Sequence, residues 1–277
     1  MLRKLLKHEF RATGRIMLPI YGAVLVLSVL ASISSRLMDR NVGSFLYVLF
    51  GLIVAAFVIG IIAAVIMTAV MMIRRFYSNL LRDEGYLMHT LPVSVHELVW
   101  SKMIVSVVWF AATFIVIGLV MLLLALIQSG TNLAAIFEKL PEGWAVLRQE
   151  LAAHGIRMGS LWLIAAEALL AAIVGGLFVC LHFYAAMSLG HMFSRDKILL
   201  SIVFYVAISF VLSMATTGYG VGRMAVVEEM DISLRSVSQA IRFAQAALGE
   251  MLLVETVQAA LLYLATVLSL KKGLNLA

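Results

Sequence analysis

One cysteine, three prolines and few charges set the first limits on this chain. Cys180 stands alone inside an apolar run, which excludes a disulfide framework and a cysteine-based metal site within the chain. It reads as a small buried hydrophobe. Three prolines suit a helical bundle, and the strand-like alternation that a membrane barrel needs is absent. Charged residues make up 13% of the 277 positions and hydrophobic ones 63%. A soluble domain of this length is about a quarter charged, so a polytopic membrane protein is the class that fits. The phosphate loop G-x-x-x-x-G-K-[ST] occurs nowhere, nor does a helical zinc site of the His-Glu-x-x-His kind. Low-complexity linkers and internal repeats are also missing, so 1–277 reads as a single transmembrane domain.

What is present is apolar length. A helix that crosses a bilayer needs about 20 mostly apolar residues. Six segments qualify: 16–35, 45–73, 103–128, 158–190, 198–216 and 249–270. The first is expected to remain as an uncleaved span, because no small-residue cleavage signature follows it. The second and fourth exceed the bilayer thickness and should tilt or project.

An even number of spans puts both termini on one side. With that side cytoplasmic, the inner segments 1–15, 74–102, 191–197 and 271–277 hold thirteen of the 21 basic residues. The outer segments 36–44, 129–157 and 217–248 hold eight and are close to neutral. The positive-inside rule therefore predicts cytoplasmic termini. The +6 formal charge belongs to this pattern and does not point to nucleic acid.

Within 2–15, Leu2, Leu5, Leu6 and Phe10 follow helical spacing, with Arg3, Lys4, Lys7 and Arg11 opposite. This predicts an interfacial elbow helix on the inner leaflet, turning into the membrane at Arg15 and Pro19. In 141–154, Pro141 suits a helix start, with Trp144, Leu147 and Leu151 on one face. In 227–248, apolar residues recur every 3.5 positions from Val227 to Leu248. That helix should pack on the bundle, on a second copy or along the membrane surface. Gly218, Gly220 and Gly222 before it are expected to form a flexible turn.

The segment Arg74 to Lys102 is a polar island between two apolar runs, with three arginines, one lysine and three carboxylates. Gly85 breaks its first helix. Ser94 and Glu97 form a Ser-x-x-Glu capping box that starts a second one. Trp100 and Lys102 suit the inner interface.

Three stretches of this segment, Glu84-Gly85-Tyr86, Leu91-Pro92-Val93-Ser94 and Ser101-Lys102, resemble those of permease subunits of type-2 ABC exporters. The likeness covers about thirty residues in motif and nearly the whole chain in layout. It implies an all-α membrane protein with six transmembrane helices, an N-terminal elbow helix and a cytoplasmic coupling helix. Leu81, Arg82, Asp83, Glu84, Gly85, Tyr86, Leu87 and Pro92 would then dock on a separate ATPase subunit. Arg195, Asp196 and Lys197 would form a second cytoplasmic contact. The same resemblance implies two ATPases per complex, a second permease copy or paralogue, ATP and magnesium on the ATPases, and a bacterial plasma membrane. The chain would not be an enzyme by itself.

Ionisable groups inside apolar runs are costly and usually face protein or water. Glu167, Glu255 and His182 are such groups. They are candidate lining for a substrate path, suited to a cationic or amphipathic molecule; the alternatives are an interfacial position for the carboxylates and a hydrogen-bonded structural role for His182. Two other functions compete with export. One is a membrane sensor or assembly scaffold on the same architecture. The other is an intramembrane protease using Glu228, Glu229 and His182. The acidic pair follows Phe178 and His182 in the chain and lies outside the spans, which argues against that chemistry.

Overall fold

The computed structural model describes residues 2–38, 43–82, 85, 93–130, 133–193, 195–229 and 237–272. Positions 133, 136, 223–229, 237–238 and 240 are described by backbone alone. These residues form seven α-helices: α1 Leu2–Met38, α2 Ser44–Phe76, α3 Val95–Ser129, α4 Leu133–Ala153, α5 Met158–Gly190, α6 Lys197–Glu229 and α7 Val237–Lys272. A π-helical turn, Tyr77–Leu81, follows α2 directly. All except α4 contain a stretch long and apolar enough to cross a membrane. In hydrocarbon a backbone must satisfy its own hydrogen bonds, which favours unbroken helices over loops.

The helices depart from expectation at three places, two of them in membrane-length helices where that pressure applies. The chain does not turn at Arg15 and Pro19; α1 runs from Leu2 to Met38 with Pro19 inside it. The amphipathic spacing is nevertheless real, with Leu2, Leu5, Leu6 and Phe10 half-buried and Arg3, Lys4, Lys7 and Arg11 exposed. Proline removes one backbone donor, but a single missing bond does not end a helix packed along its length. Pro141 likewise lies inside α4, which starts eight residues earlier, at Leu133. Gly218, Gly220 and Gly222 are helical within α6, although glycine costs about 1 kcal/mol per helical position relative to alanine. Of the 3.5-residue seam at 227–248, residues 230–236 lie outside the described set.

The contacts divide the chain into two compact units, Met1–Arg75 with Trp100–Glu142 and Phe76–Val99 with Gly143–Ala277. In the first, α1, α2 and α3 pack around Val24, Ala31, Phe57, Ala64 and Val120. Helices α1 and α3 run parallel, paired in order by Glu9 with Lys102, Thr13 with Trp109, Tyr21 with Thr113 and Arg36 with Gln128. In the second unit α5 packs along both α6 and α7. Its buried end, from Cys180 to Gly190, meets the π-helical turn. Phe76 stacks on Tyr184 with ring centroids 3.9 Å apart and planes 9° from parallel. Helix α5 approaches α6 closely at Gly190, where a Cβ would stand 2.2 Å from Ser201 Oγ and 2.6 Å from its backbone nitrogen. Only glycine fits that turn.

Candidate functional site

The 74–102 segment is built from its two flanks. At the first, α2 loosens into the π-helical turn, a departure often found at functional positions. Asn79, Leu80 and Leu81 are buried there. Leu81, expected to dock on a partner, therefore serves first as packing. Arg82 is exposed, and its guanidinium lies over the Tyr77 ring at 5.2 Å from the centroid, within cation–π range. Gly85 is buried and its N–H donates to the Arg82 carbonyl at 2.6 Å. A Cβ on Gly85 would come within 2.6 Å of the Leu80 carbonyl oxygen, an approach that only glycine allows. Asp83, Glu84, Tyr86, Leu87 and Pro92 lie outside the described residues.

The second flank follows the expected capping box. The Glu97 N–H donates to Ser94 Oγ at 3.2 Å, and the Ser94 N–H donates back to Glu97 Oε2 at 3.2 Å. Two otherwise unpaired helix-terminal donors are thus satisfied reciprocally. In the first turn of α3, His96 ties this flank to the end of α7. Lys271 Nζ donates to His96 Nε2 at 3.2 Å, and the opposite ring nitrogen, Nδ1, meets Tyr263 OH at 2.6 Å. Because an ammonium can only donate, the ring proton sits on Nδ1.

The α5–α6 connection belongs to the same cluster. His191 caps α5 and is buried. Its Nδ1 donates to the Met187 carbonyl at 2.8 Å, and its ring meets Tyr77 edge-on at 5.4 Å. Burial pushes the His191 pKa below its ordinary value near 6.5, helped by the nearby Lys197 charge and opposed by the Met187 hydrogen bond. Arg195 and Asp196 are exposed and Lys197 is half-buried. Asp196 takes the left-handed conformation at φ 52° and its carbonyl accepts the Leu200 N–H. The structure thus brings the start of the 74–102 segment against the connection that holds the second expected contact.

Of the polar groups inside the apolar helices, His182 and Glu255 share one cavity and Glu167 is not among its described lining. His182 stacks on Tyr205 with centroids 4.5 Å apart. Its Nε2 stands 3.1 Å from Ser209 Oγ and 3.4 Å from the Tyr205 carbonyl. Ser209 already donates to that carbonyl at 2.7 Å, so both contacts are satisfied when Nε2 carries the imidazole proton. Glu167 is half-buried, and its Oε2 has no hydrogen-bond partner among the described residues.

Sequence reasoning missed two features. Lys102 is buried and paired with Glu9. The signal was Glu9 itself, the lone carboxylate in an otherwise basic N-terminal segment. Ser209, Ser213, Thr216 and Gly220 also repeat on one face of α6, marking the polar side of the cavity. Among the described residues, no cluster of three or more His, Cys, Asp or Glu could hold a metal ion. No family model, curated protein or solved structure matches this chain.

Proposed function

We propose that this chain is the membrane subunit of an ATP-driven ABC-type exporter, lodged in a bacterial plasma membrane with both termini in the cytoplasm. The observation that carries the reading is the junction at Ser94. A capped helix leaves the polar 74–102 segment and continues without interruption as the apolar α3, Val95–Ser129. A helix of that length is a rod of about 52 Å at 1.5 Å per residue. A push at its polar end is transmitted to its apolar part because no loop intervenes to absorb it.

The remaining parts serve that motion. Separate ATPase subunits, two per complex, bind ATP and magnesium. They dock on the segment around Arg82, Asp83, Glu84, Gly85, Tyr86, Leu87 and Pro92, with Leu81 packing beneath it. Arg195, Asp196 and Lys197 supply the second contact. The buried Glu9–Lys102 pair makes α1 follow α3. A second copy or a paralogue completes the permease. The sequence holds no phosphate loop, which accords with hydrolysis on a separate partner.

The test is affinity purification of the tagged chain in mild detergent, with mass spectrometry of what accompanies it. A stoichiometric ATPase is the expected result, lost or much weakened in Glu84→Ala and Gly85→Pro while the chain still elutes as a single folded species. Undiminished ATPase association and transport in both variants would sink the coupling role. Absence of any ATPase from folded wild-type protein would favour a scaffold or sensor.

A further inference from the structure

The cavity that holds His182 and Glu255 has a chemistry that selects a ligand. It is ≈ 600 Å³, within the range of small-molecule sites. It lies over α5 between α6 and α7. Thr216 is 19 residues into α6, about 28 Å along the helix, and Glu255 is 17 residues from the end of α7, about 26 Å along it. Counted from those inner ends, both positions lie in the outer part of a bilayer core of about 30 Å. There a carboxylate still faces protein or water in preference to lipid.

Most of the polar groups there are paired. Gln258 is buried and donates from Nε2 to Thr216 Oγ1 at 3.1 Å, bridging α7 to α6. Ser209 is committed to His182 and Tyr205. Tyr219, at the cavity rim, donates to Glu250 at 2.5 Å. Glu255 is different: it has neither a hydrogen bond nor an ion pair among the described residues. No lysine or arginine is among the described residues lining the cavity. The rest of the wall is apolar or aromatic, including Phe178, Leu212 and Met251.

We infer that this cavity binds a monovalent organic cation with an apolar body. Glu255 holds its charge, and Phe178 and Met251 hold its hydrocarbon. An anion would meet an uncompensated carboxylate. A neutral solute would leave that carboxylate without a partner. A cation supplies the missing charge and is further attracted by an aromatic face. The inference deepens the export reading and rests on it only for the cation's role as cargo; binding itself requires no ATPase, so the two readings fail separately.

The test is equilibrium binding to the purified chain in lipid nanodiscs, without ATPase or nucleotide. Tetraphenylphosphonium, ethidium and dodecyltrimethylammonium are the cations, and triphenylphosphine oxide is the neutral control. At least one cation should bind in preference to the neutral control. Glu255→Gln should weaken that binding roughly tenfold or more, the size of one lost charge-assisted contact, while Glu255→Asp retains much of it. Glu167→Gln should leave it unchanged. Size-exclusion profiles and thermal midpoints establish that each variant is folded. The proposal is overturned if folded wild type binds none of the three cations, or if Glu255→Gln binds them as well as wild type. It is also overturned if Ser213→Cys cross-links quantitatively between two copies, because a second chain then fills the groove.

Discussion

The two compact units treat the carboxylates inside their apolar helices in opposite ways. In the unit of α1, α2 and α3, Glu9 is neutralised by Lys102, and Trp109 Nε1 donates to Thr13 at 2.7 Å. Thr113 is shared by Tyr21 at 2.8 Å and Thr68 at 2.9 Å. Every one of these residues is buried or half-buried, and they form a ladder along the α1–α3 seam. In the unit of α5, α6 and α7, Glu167 and Glu255 are half-buried, and polar groups line an open-sided cavity. A satisfied buried network rigidifies and specifies packing, whereas an unsatisfied one calls for water or a ligand. The first unit therefore reads as framework and the second as the place where something binds.

The sharpest way to break that contrast is to remove one partner of the buried pair. Lys102→Ala removes the ammonium paired with the buried Glu9 carboxylate and should cost about 3–5 kcal/mol, seen as a large fall in the thermal midpoint in detergent. Glu9→Gln combined with Lys102→Met should recover most of the loss. An unchanged midpoint in Lys102→Ala would remove the framework reading. In the second unit the comparable structural lesion is steric. Gly190→Val forces side-chain atoms into Ser201 and should cost about 1–3 kcal/mol, measured in the same assay, with Gly190→Ala milder.

Removing an unpartnered charge should do the reverse. Glu255→Gln is expected to leave the midpoint unchanged or raise it, in contrast to the Lys102 variant, because no native contact is lost. A fall comparable to that of Lys102→Ala would mean that Glu255 is structural. The smallest effect is set by pH at His191. Its pKa is depressed in the folded chain, so the unfolded chain binds the proton more readily. Stability is then full above about pH 6.5 and falls as pH drops below it, with a slope of at most about 1.4 kcal/mol per pH unit. His191→Phe should flatten the decline in a midpoint-versus-pH series; an identical slope would assign it to other groups.

Much of the fold was legible in the sequence because apolar length and helix-capping chemistry are local. All six predicted spans lie within the helices long enough to cross a membrane, and 158–190 coincides with α5. The reciprocal Ser94–Glu97 bonds follow from a four-residue pattern. The misplaced breaks at Pro19 and Gly218–Gly222 have one cause, which Pro141 does not share. Proline and glycine disfavour helix by about 1–3 kcal/mol each, and in α1 and α6 that local preference is overridden because a backbone in hydrocarbon has no water to turn to; α4, exposed around Pro141, shows only that a helix can continue through a proline.

The candidate sites were legible only in part. Glu167, Glu255 and His182 stand out by composition, yet only the last two share a cavity, because sharing depends on which helix faces meet. Glu9 and Lys102 are 93 positions apart, and nothing in either local stretch shows that α1 and α3 run parallel. By itself the sequence determined an all-helical chain with six membrane-length segments, its amphipathic N-terminus and its capped α3, since each rests on residues close together in the chain. Tertiary packing alone decided which charge is paired, which carboxylate is left open and where the cavity lies, because those depend on side chains brought together from distant helices.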